Sequence, residues 1–306
     1  VFYRGDKSII DTYPETSLDN KYSLNTVDIC PVGALTDADF RFQVRVWFLD
    51  ETKSVCPGCS NNCSIRICHR RGKVYRLLPR RNMDVNKVWM CDEGRFIYKK
   101  IGAKNRLTVP LVKKGNKLKE TTWDEAFDTV VRGLSKVKNN EIGGIASPHA
   151  TNEECYLFGK LIREVFDSKN LDFVVPFWEA DDFLIRAEKA ANPQGVKELG
   201  LKENGSLSVK KMIEEVNNGS LKALYIVGND ILMNSDTKRD ILQALSKLDF
   251  MVLQDTCITD LCSVANVVFP SVTFAEKDGT FTNINGIVQK INRAVSPPGW
   301  AKPDLE

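Results

Sequence analysis

The sequence predicts an α/β protein: a small β-rich module built around cysteines, followed by a doubly wound parallel sheet. Three observations predict it. Cys56, Cys59 and Cys63 fall within eight residues, and Cys91 follows after a gap of 27. Beside them, Ser64-Ile65-Arg66-Ile67-Cys68-His69-Arg70 and Lys73-Val74-Tyr75-Arg76-Leu77-Leu78 read as two strands, with Arg71-Gly72 as the turn between them. Further along, the apolar runs Ala223–Val227, Phe250–Gln254 and Asn266–Phe269 alternate with helical spacing, a βαβαβ pattern covered on both faces.

Thiolates are the soft ligands that hold iron–sulfur clusters and zinc. Gly58 lets the chain fold tightly around a metal centre and Pro57 stiffens its entry. The layout of three bunched cysteines and one distant cysteine is read as a [4Fe–4S] site, with one loop holding three corners of a cube. Two other readings compete with it. A zinc ribbon also uses four cysteines, usually as two close pairs. A disulfide framework suits small secreted domains, and nothing else in the sequence looks secreted.

The 306 residues suffice for about two domains, and 42% hydrophobic with 27% charged residues is ordinary for a folded chain. A net charge of +3 gives no bulk argument for nucleic acid. No apolar run approaches the roughly 20 residues of a membrane span. Nine cysteines without a secretion signal point to a reducing compartment and to metal ligation. The start, Val1-Phe2-Tyr3, lacks an initiator Met and is expected to lie inside a larger protein.

In chain order, Cys30-Pro31-Val32-Gly33-Ala34-Leu35 carries the Cys-Pro signature that ends a ferredoxin-type cluster loop, with no partner cysteines before it. The alternative is an ordinary buried free cysteine. Residues 40–49 alternate apolar and polar, which predicts a half-buried strand. Cys68 breaks the ligand spacing and reads as packing, and His69 as a partly exposed polar residue. Arg70, Arg71, Arg76, Arg80 and Arg81 form a basic run, either a solvated face or a face that raises a cluster's potential or docks a partner.

From about residue 120 the period becomes helical. Thr122 with Glu125, and Thr151 with Glu154, are capping boxes, and another helix starts at Ser208. Gly143–Ser147 is a short strand, and residues 170–205 are the least regular stretch. Gly228, Asn229, Asp230 and Asp255 fall at the carboxyl ends of strands, where ligands of doubly wound sheets sit. Without a GxGxxG motif this is weak evidence for a nucleotide. Residues 256–264 read as a short helix, with Cys257 and Cys262 as core cysteines. Residues 270–300 read as short strands separated by glycine turns, and by composition alone as a surface loop.

Taken together these motifs resemble a known family. Cys56-x2-Cys59-x3-Cys63-x27-Cys91, with Trp89 and Gly94, resembles the [4Fe–4S] module of the molybdopterin oxidoreductase superfamily. Thr121-Thr122-Trp123-Asp124-Glu125-Ala126 is similar to its usual helix start, and Thr273–Asn283 with Pro297-Pro298-Gly299 resembles two further motifs. Val27–Leu35 and Phe40-Arg41-Phe42 resemble the end of the ferredoxin-like part of the large iron–sulfur subunit of NADH–quinone oxidoreductase, respiratory complex I. The resemblance implies three parts: the end of a ferredoxin-like cluster domain (1–48), a [4Fe–4S] module (49–105) and an α/β domain with the molybdopterin oxidoreductase fold (106–306).

It further implies a relay subunit without a catalytic site of its own. Electrons from NADH and FMN pass through its clusters toward quinone, coupled to proton translocation by the complex. Cys56, Cys59, Cys63 and Cys91 would bind one [4Fe–4S] cluster, and Cys30 would be the fourth ligand of a second, its partners upstream. The implied partners are other peripheral-arm subunits, at the cytoplasmic face of a bacterial inner membrane or the matrix side in mitochondria, with no nucleic acid and no direct membrane span. Leu171–Trp178 lacks the cysteine or selenocysteine metal ligand of catalytic relatives, and the middle domains are too short for two pterins, so no molybdenum is expected. The alternatives are a fragment of a molybdopterin-dependent formate dehydrogenase-type enzyme, and a non-redox zinc-binding interaction protein.

Overall fold

The structure is a computed structural model and describes residues 2–9, 12–202, 205–228, 230–233 and 237–306. Strands β1 (Phe2–Arg4) and β2 (Lys7–Ile9) pair as an antiparallel hairpin, and helix α1 (Leu24–Ile29) follows. Asn25 fastens α1 to the module behind it. Its side chain donates to Met90 O at 2.8 Å and accepts from Met90 N and Arg95, and Arg95 also pairs with Asp28 at 2.5 Å.

Residues 40–49 do not form the strand that their alternation predicts. They make turns and a single 3₁₀ turn at Val46–Phe48. Phe42 has φ +64° and is 91% exposed. The aromatic rings find cations instead of a strand partner: Arg76 lies 4.1 Å from the Phe40 ring centroid and Arg70 4.4 Å from that of Phe48. The sheet begins later, with β3 (Asp50–Val55), β4 (Ser64–Arg70) and β5 (Lys73–Pro79) in antiparallel order. Arg71 and Gly72 both have positive φ, +50° and +77°. That is the two-residue turn whose twist matches a hairpin. Ile65, Ile67, Val74 and Leu77 bury one face of this sheet.

After α2 (Asp92–Phe96) the α/β part begins with strands β6 (Leu111–Lys114) and β7 (Lys117–Glu120), helix α3 (Trp123–Leu134), β8 (Ile142–Ala146) and α4 (Asn152–Lys160). Then come β9 (Leu171–Phe173), α5 (Pro193–Glu198), α6 (Val209–Asn218), β10 (Ala223–Val227), α7 (Lys238–Leu245), β11 (Phe250–Asp255) and β12 (Val267–Pro270). The last two strands form the hairpin β13 (Gly279–Thr282) and β14 (Val288–Ile291).

The large sheet has the order β7-β6-β12-β11-β10-β8-β9. Its last five strands are mutually parallel, and their order reverses between β8 and β10. That reversal is the switch point of a doubly wound sheet. Alternate residues of β10 serve opposite cores: Ala223 and Tyr225 pack with α3 and α4, Leu224 and Ile226 with α6 and α7. Beyond the predicted parallel sheet, β6 and β7 add an antiparallel edge hairpin, paired to β12. Lys113, Lys114, Lys117 and Lys119 lie along that edge, which discourages pairing with another chain.

Thr122 and Thr151 cap α3 and α4 as predicted. At Thr151 the box is reciprocal, with Thr151 N donating to Glu154 at 2.8 Å. At Thr122 it is only half formed, because Glu125 turns instead to Thr121 and to Lys114. The predicted helix at 256–264 shrinks to a 3₁₀ turn at Asp260–Ser263, with Cys262 buried and Cys257 half-buried.

Asp255 ends β11, and burial pushes its carboxyl up to about 6. A carboxylate with a raised pKa costs stability as pH climbs from its unfolded value through its folded one. Asp255→Asn is expected to remove on the order of 2–3 kcal/mol of this pH dependence. The check is the unfolding free energy of both proteins at pH 4 and pH 7; parallel profiles would refute the assignment.

Candidate metal centre

Cys56, Cys59, Cys63 and Cys91 are all buried and line one cavity, with Gly58, Asn62, Met90, Glu93, Gly94, Leu184, Ile185 and Lys189. The loop between β3 and β4 supplies three sulfurs. It closes on itself through Cys56 N donating to Cys63 O at 2.9 Å, and Asn62 takes the left-handed conformation, φ +54°, to turn the chain back. The fourth sulfur comes from Cys91, the N-cap of α2, where Gly94 N donates to its Sγ at 3.4 Å. Asn61 Nδ2 donates to Cys63 Sγ at 3.2 Å. Amide donors of this kind stabilise a thiolate against its proton.

Burial pushes the Cys56 thiol well up, and the neighbouring sulfurs of Cys63, Cys91 and Cys59 push it further. Burial likewise raises Cys63 to about 12 and Cys91 to about 11, against the opposing amide donors. Such thiols keep their protons at pH 7 unless a cation replaces them, so metal loading releases protons. Among the described residues no three His, Cys, Asp or Glu could hold a single metal ion. The four cysteines share the lining of one cavity, and four thiolates are the donor set that an iron–sulfur cube takes.

Gly94 fits this cradle tightly. A Cβ there would lie 3.1 Å from Cys56 Sγ and 3.3 Å from Cys91 Sγ. Gly94→Ala is expected to lower bound iron at least several-fold while the fold persists. Iron per chain, beside a circular dichroism spectrum, checks it; full iron content would contradict it.

Cys30 does not line this cavity. It caps α1 at the other end of the segment, half-exposed, and backbone N–H groups, Leu35 first and then Ala34, Val32 and Gly33, draw its thiol below the usual value. Cys68 is fully buried on β4, and His69 bonds Thr52 at 2.9 Å, so neither belongs to the site. None of the five arginines of the basic run lines the cavity either.

At the switch point, Asp230 is buried and accepts from Ser147 Oγ at 2.7 Å, with His149 3.5 Å away. Gly228, φ +74°, makes room, since a Cβ there would meet Ser147 Oγ at 2.9 Å. Asn229 lies outside the described residues. Cys155 on α4, to which no sequence motif pointed, is buried with its thiol against the carbonyls of Ser147 and Ala150.

Residues 273–283 are not the surface loop that their composition suggests. Glu276 pairs bidentately with Arg106 at 3.0 and 2.8 Å, and Lys277 with Glu154 at 2.7 and 2.6 Å, all four side chains buried. Thr280 bonds Glu153, and Phe281 is fully buried. The hairpin that follows reaches the cysteine loop, with Ile284 N donating to Ser60 O at 2.8 Å and Gln289 Nε2 to Asn62 O at 2.9 Å. The segment 176–189 also closes on the loop, because Ser60 N donates to Glu188 O at 3.0 Å. No pattern in its sequence announced this.

A doubly wound sheet joined to a buried four-cysteine cavity defines an α/β protein with an iron–sulfur-type module. Residues 106–180 and 183–306 match the family described as molybdopterin oxidoreductase, and residues 49–102 match the molybdopterin oxidoreductase Fe4S4 domain. The chain belongs to the molybdopterin oxidoreductase family. Residues 1–36 match the ferredoxin-like domain of NADH-quinone oxidoreductase subunit 3.

The relatives carry the names that the motifs suggest. Subunit 3 of the NADH-quinone oxidoreductase of Thermus thermophilus is 38% identical over 170 residues, 56% of this chain and 21% of the relative. The 75 kDa subunit of the NADH-ubiquinone oxidoreductase of Reclinomonas americana is 34% identical over 181 residues, 58% of this chain and 26% of the relative. An NADH-quinone oxidoreductase subunit of Rickettsia conorii is 26% identical over 415 residues, 100% of this chain and 62% of the relative. This chain thus spans only part of each. Among solved structures, acetylene hydratase from Pelobacter acetylenicus superposes with a TM-score of 0.59 over 82% of this chain and 67% of its own, at 12% identity. That likeness concerns the fold alone.

Proposed function

We propose that this chain is an electron-relay subunit of an NADH–quinone oxidoreductase, with Cys56, Cys59, Cys63 and Cys91 holding a [4Fe–4S] cluster. The observation that carries the reading is the convergence of four buried thiols on one cavity. When bound, such a cluster takes up and gives back single electrons with little ligand movement. The protein's own residues hold the four sulfurs in place, exclude water from them and direct the amides of Asn61 and Gly94 at two of them.

In this reading residues 1–48 are the end of a ferredoxin-like domain, 49–105 the cluster module and 106–306 a scaffold without molybdenum. Cys30 is the fourth ligand of a second [4Fe–4S] cluster, and the backbone N–H groups around its sulfur suit a thiolate. The partners are the other peripheral-arm subunits, at the cytoplasmic face of a bacterial membrane or the matrix side in mitochondria. Among the described residues no helix is long and apolar enough to cross a membrane, in keeping with an arm rather than a span. The complex as a whole would couple electron flow to proton translocation.

The test is purification of the tagged chain from its own cells under anaerobic conditions. Co-purifying complex subunits and clusters reduced by NADH are expected. Bound pterin with molybdenum or tungsten would favour a formate dehydrogenase-type enzyme. A lone, colourless, zinc-containing chain would favour an interaction protein.

A further inference from the structure

The walls of the cysteine cavity carry two charged side chains among the described residues, Glu93 and Lys189. They pair with each other, Lys189 Nζ to Glu93 Oε2 at 3.0 Å, but they are not equivalent. The Lys189 side chain is 12% exposed and that of Glu93 64%. Water screens the carboxylate and leaves the ammonium field largely unscreened toward the sulfurs.

Lys189 is held there by a built segment. Phe177 and Glu188 bridge antiparallel, Trp178 N donates to Ala187 O at 2.9 Å, and Lys189 N donates to Pro176 O at 2.8 Å. At the tip, Asp181 Oδ1 accepts three backbone N–H groups at 2.8–3.0 Å, and Tyr22 donates to its other oxygen. Phe183 packs edge-on between Tyr22 and Trp89, at 5.3 and 5.6 Å. The segment has little freedom to carry its ammonium away from the cavity.

We infer that Lys189 is a positioning residue that sets the reduction potential of the cluster held by the four cysteines, with Glu93 as its partly screened counterweight. The inference rests on the cluster assignment above. Reduction adds one negative charge to the site, and a buried cation at its wall favours the reduced state. A unit charge roughly 10 Å away at an effective dielectric near 20 shifts such an equilibrium about tenfold. For a one-electron couple tenfold is about 59 mV.

The experiment is an EPR-monitored redox titration of the cluster-loaded full chain and its variants. K189M is expected to lower the midpoint by about 59 mV. K189R, which keeps the charge, should stay close to the parent protein. E93Q should move the midpoint the opposite way, by less. An unchanged or raised midpoint in K189M, or a K189R shift equal to that of K189M, overturns the inference. If K189M does not retain a cluster, E93Q decides, and a midpoint that fails to rise overturns it. A parent protein with no [4Fe–4S] iron and sulfide would instead sink the cluster assignment itself.

Discussion

Lys277→Met is expected to destabilise the α/β part by about 3–5 kcal/mol, the cost of leaving one charge of a buried pair alone. Lys277 contacts both oxygens of Glu154, at 2.7 and 2.6 Å, and lies 3.7 Å from Asp304. Burial pushes the ammonium pKa down, but Glu154 and Asp304 outweigh it and hold it above the ordinary lysine value. The stabilisation is therefore present below the unfolded lysine pKa and is lost only as pH rises through the higher folded value. The same change loosens the start of the hairpin that braces the cysteine loop, so iron retention should fall with stability. Pairing Lys277→Met with Glu154→Gln removes the nearer of the two orphaned carboxylates and leaves Asp304, so it should restore part of the loss. Urea unfolding of the three proteins checks this; a single variant as stable as the parent would rule out a stabilising pair.

Cys59→Ala is expected to abolish the low-temperature EPR signal of this site and to remove its iron. The effect is large because three thiolates leave one iron of the cube without a protein ligand. Cys68→Ala is the matched control. Cys68 is as buried as the four cavity cysteines but sits on β4 with its thiol toward Glu51. Losing it should cost about 1–2 kcal/mol of packing and leave the signal intact. Equal loss of signal in both variants would mean that the cysteine module responds to damage, not to ligand identity.

What the sequence disclosed was local or periodic. The Arg71-Gly72 turn, the caps at Thr122, Thr151 and Ser208, and the alternate burial of β10 depend on neighbours within a few residues. That Cys56, Cys59 and Cys63 face one cavity was legible because their spacing on one loop is itself short-range. Residues 40–49 misled because alternation reports an amphipathic ribbon, not its partner; here arginines meet the rings in place of a neighbouring strand. The edge hairpin β6–β7 is short and lysine-rich, so it leaves little apolar pattern. The buried charges of the 273–283 motif were hidden for another reason. Lys277 and Glu154 are 123 residues apart, and Glu276 and Arg106 170 apart, so nothing along the chain says that they meet. Lys189 was invisible for the same reason, in the stretch with the weakest period.

The most direct measurement is a count of iron, acid-labile sulfide and zinc on the anaerobically purified intact protein, with low-temperature EPR after reduction. Four irons and four sulfides assigned to Cys56, Cys59, Cys63 and Cys91 through the Cys59→Ala difference, with a signal that vanishes in that variant, is the predicted result. One zinc per chain, with neither iron nor a signal, would contradict it.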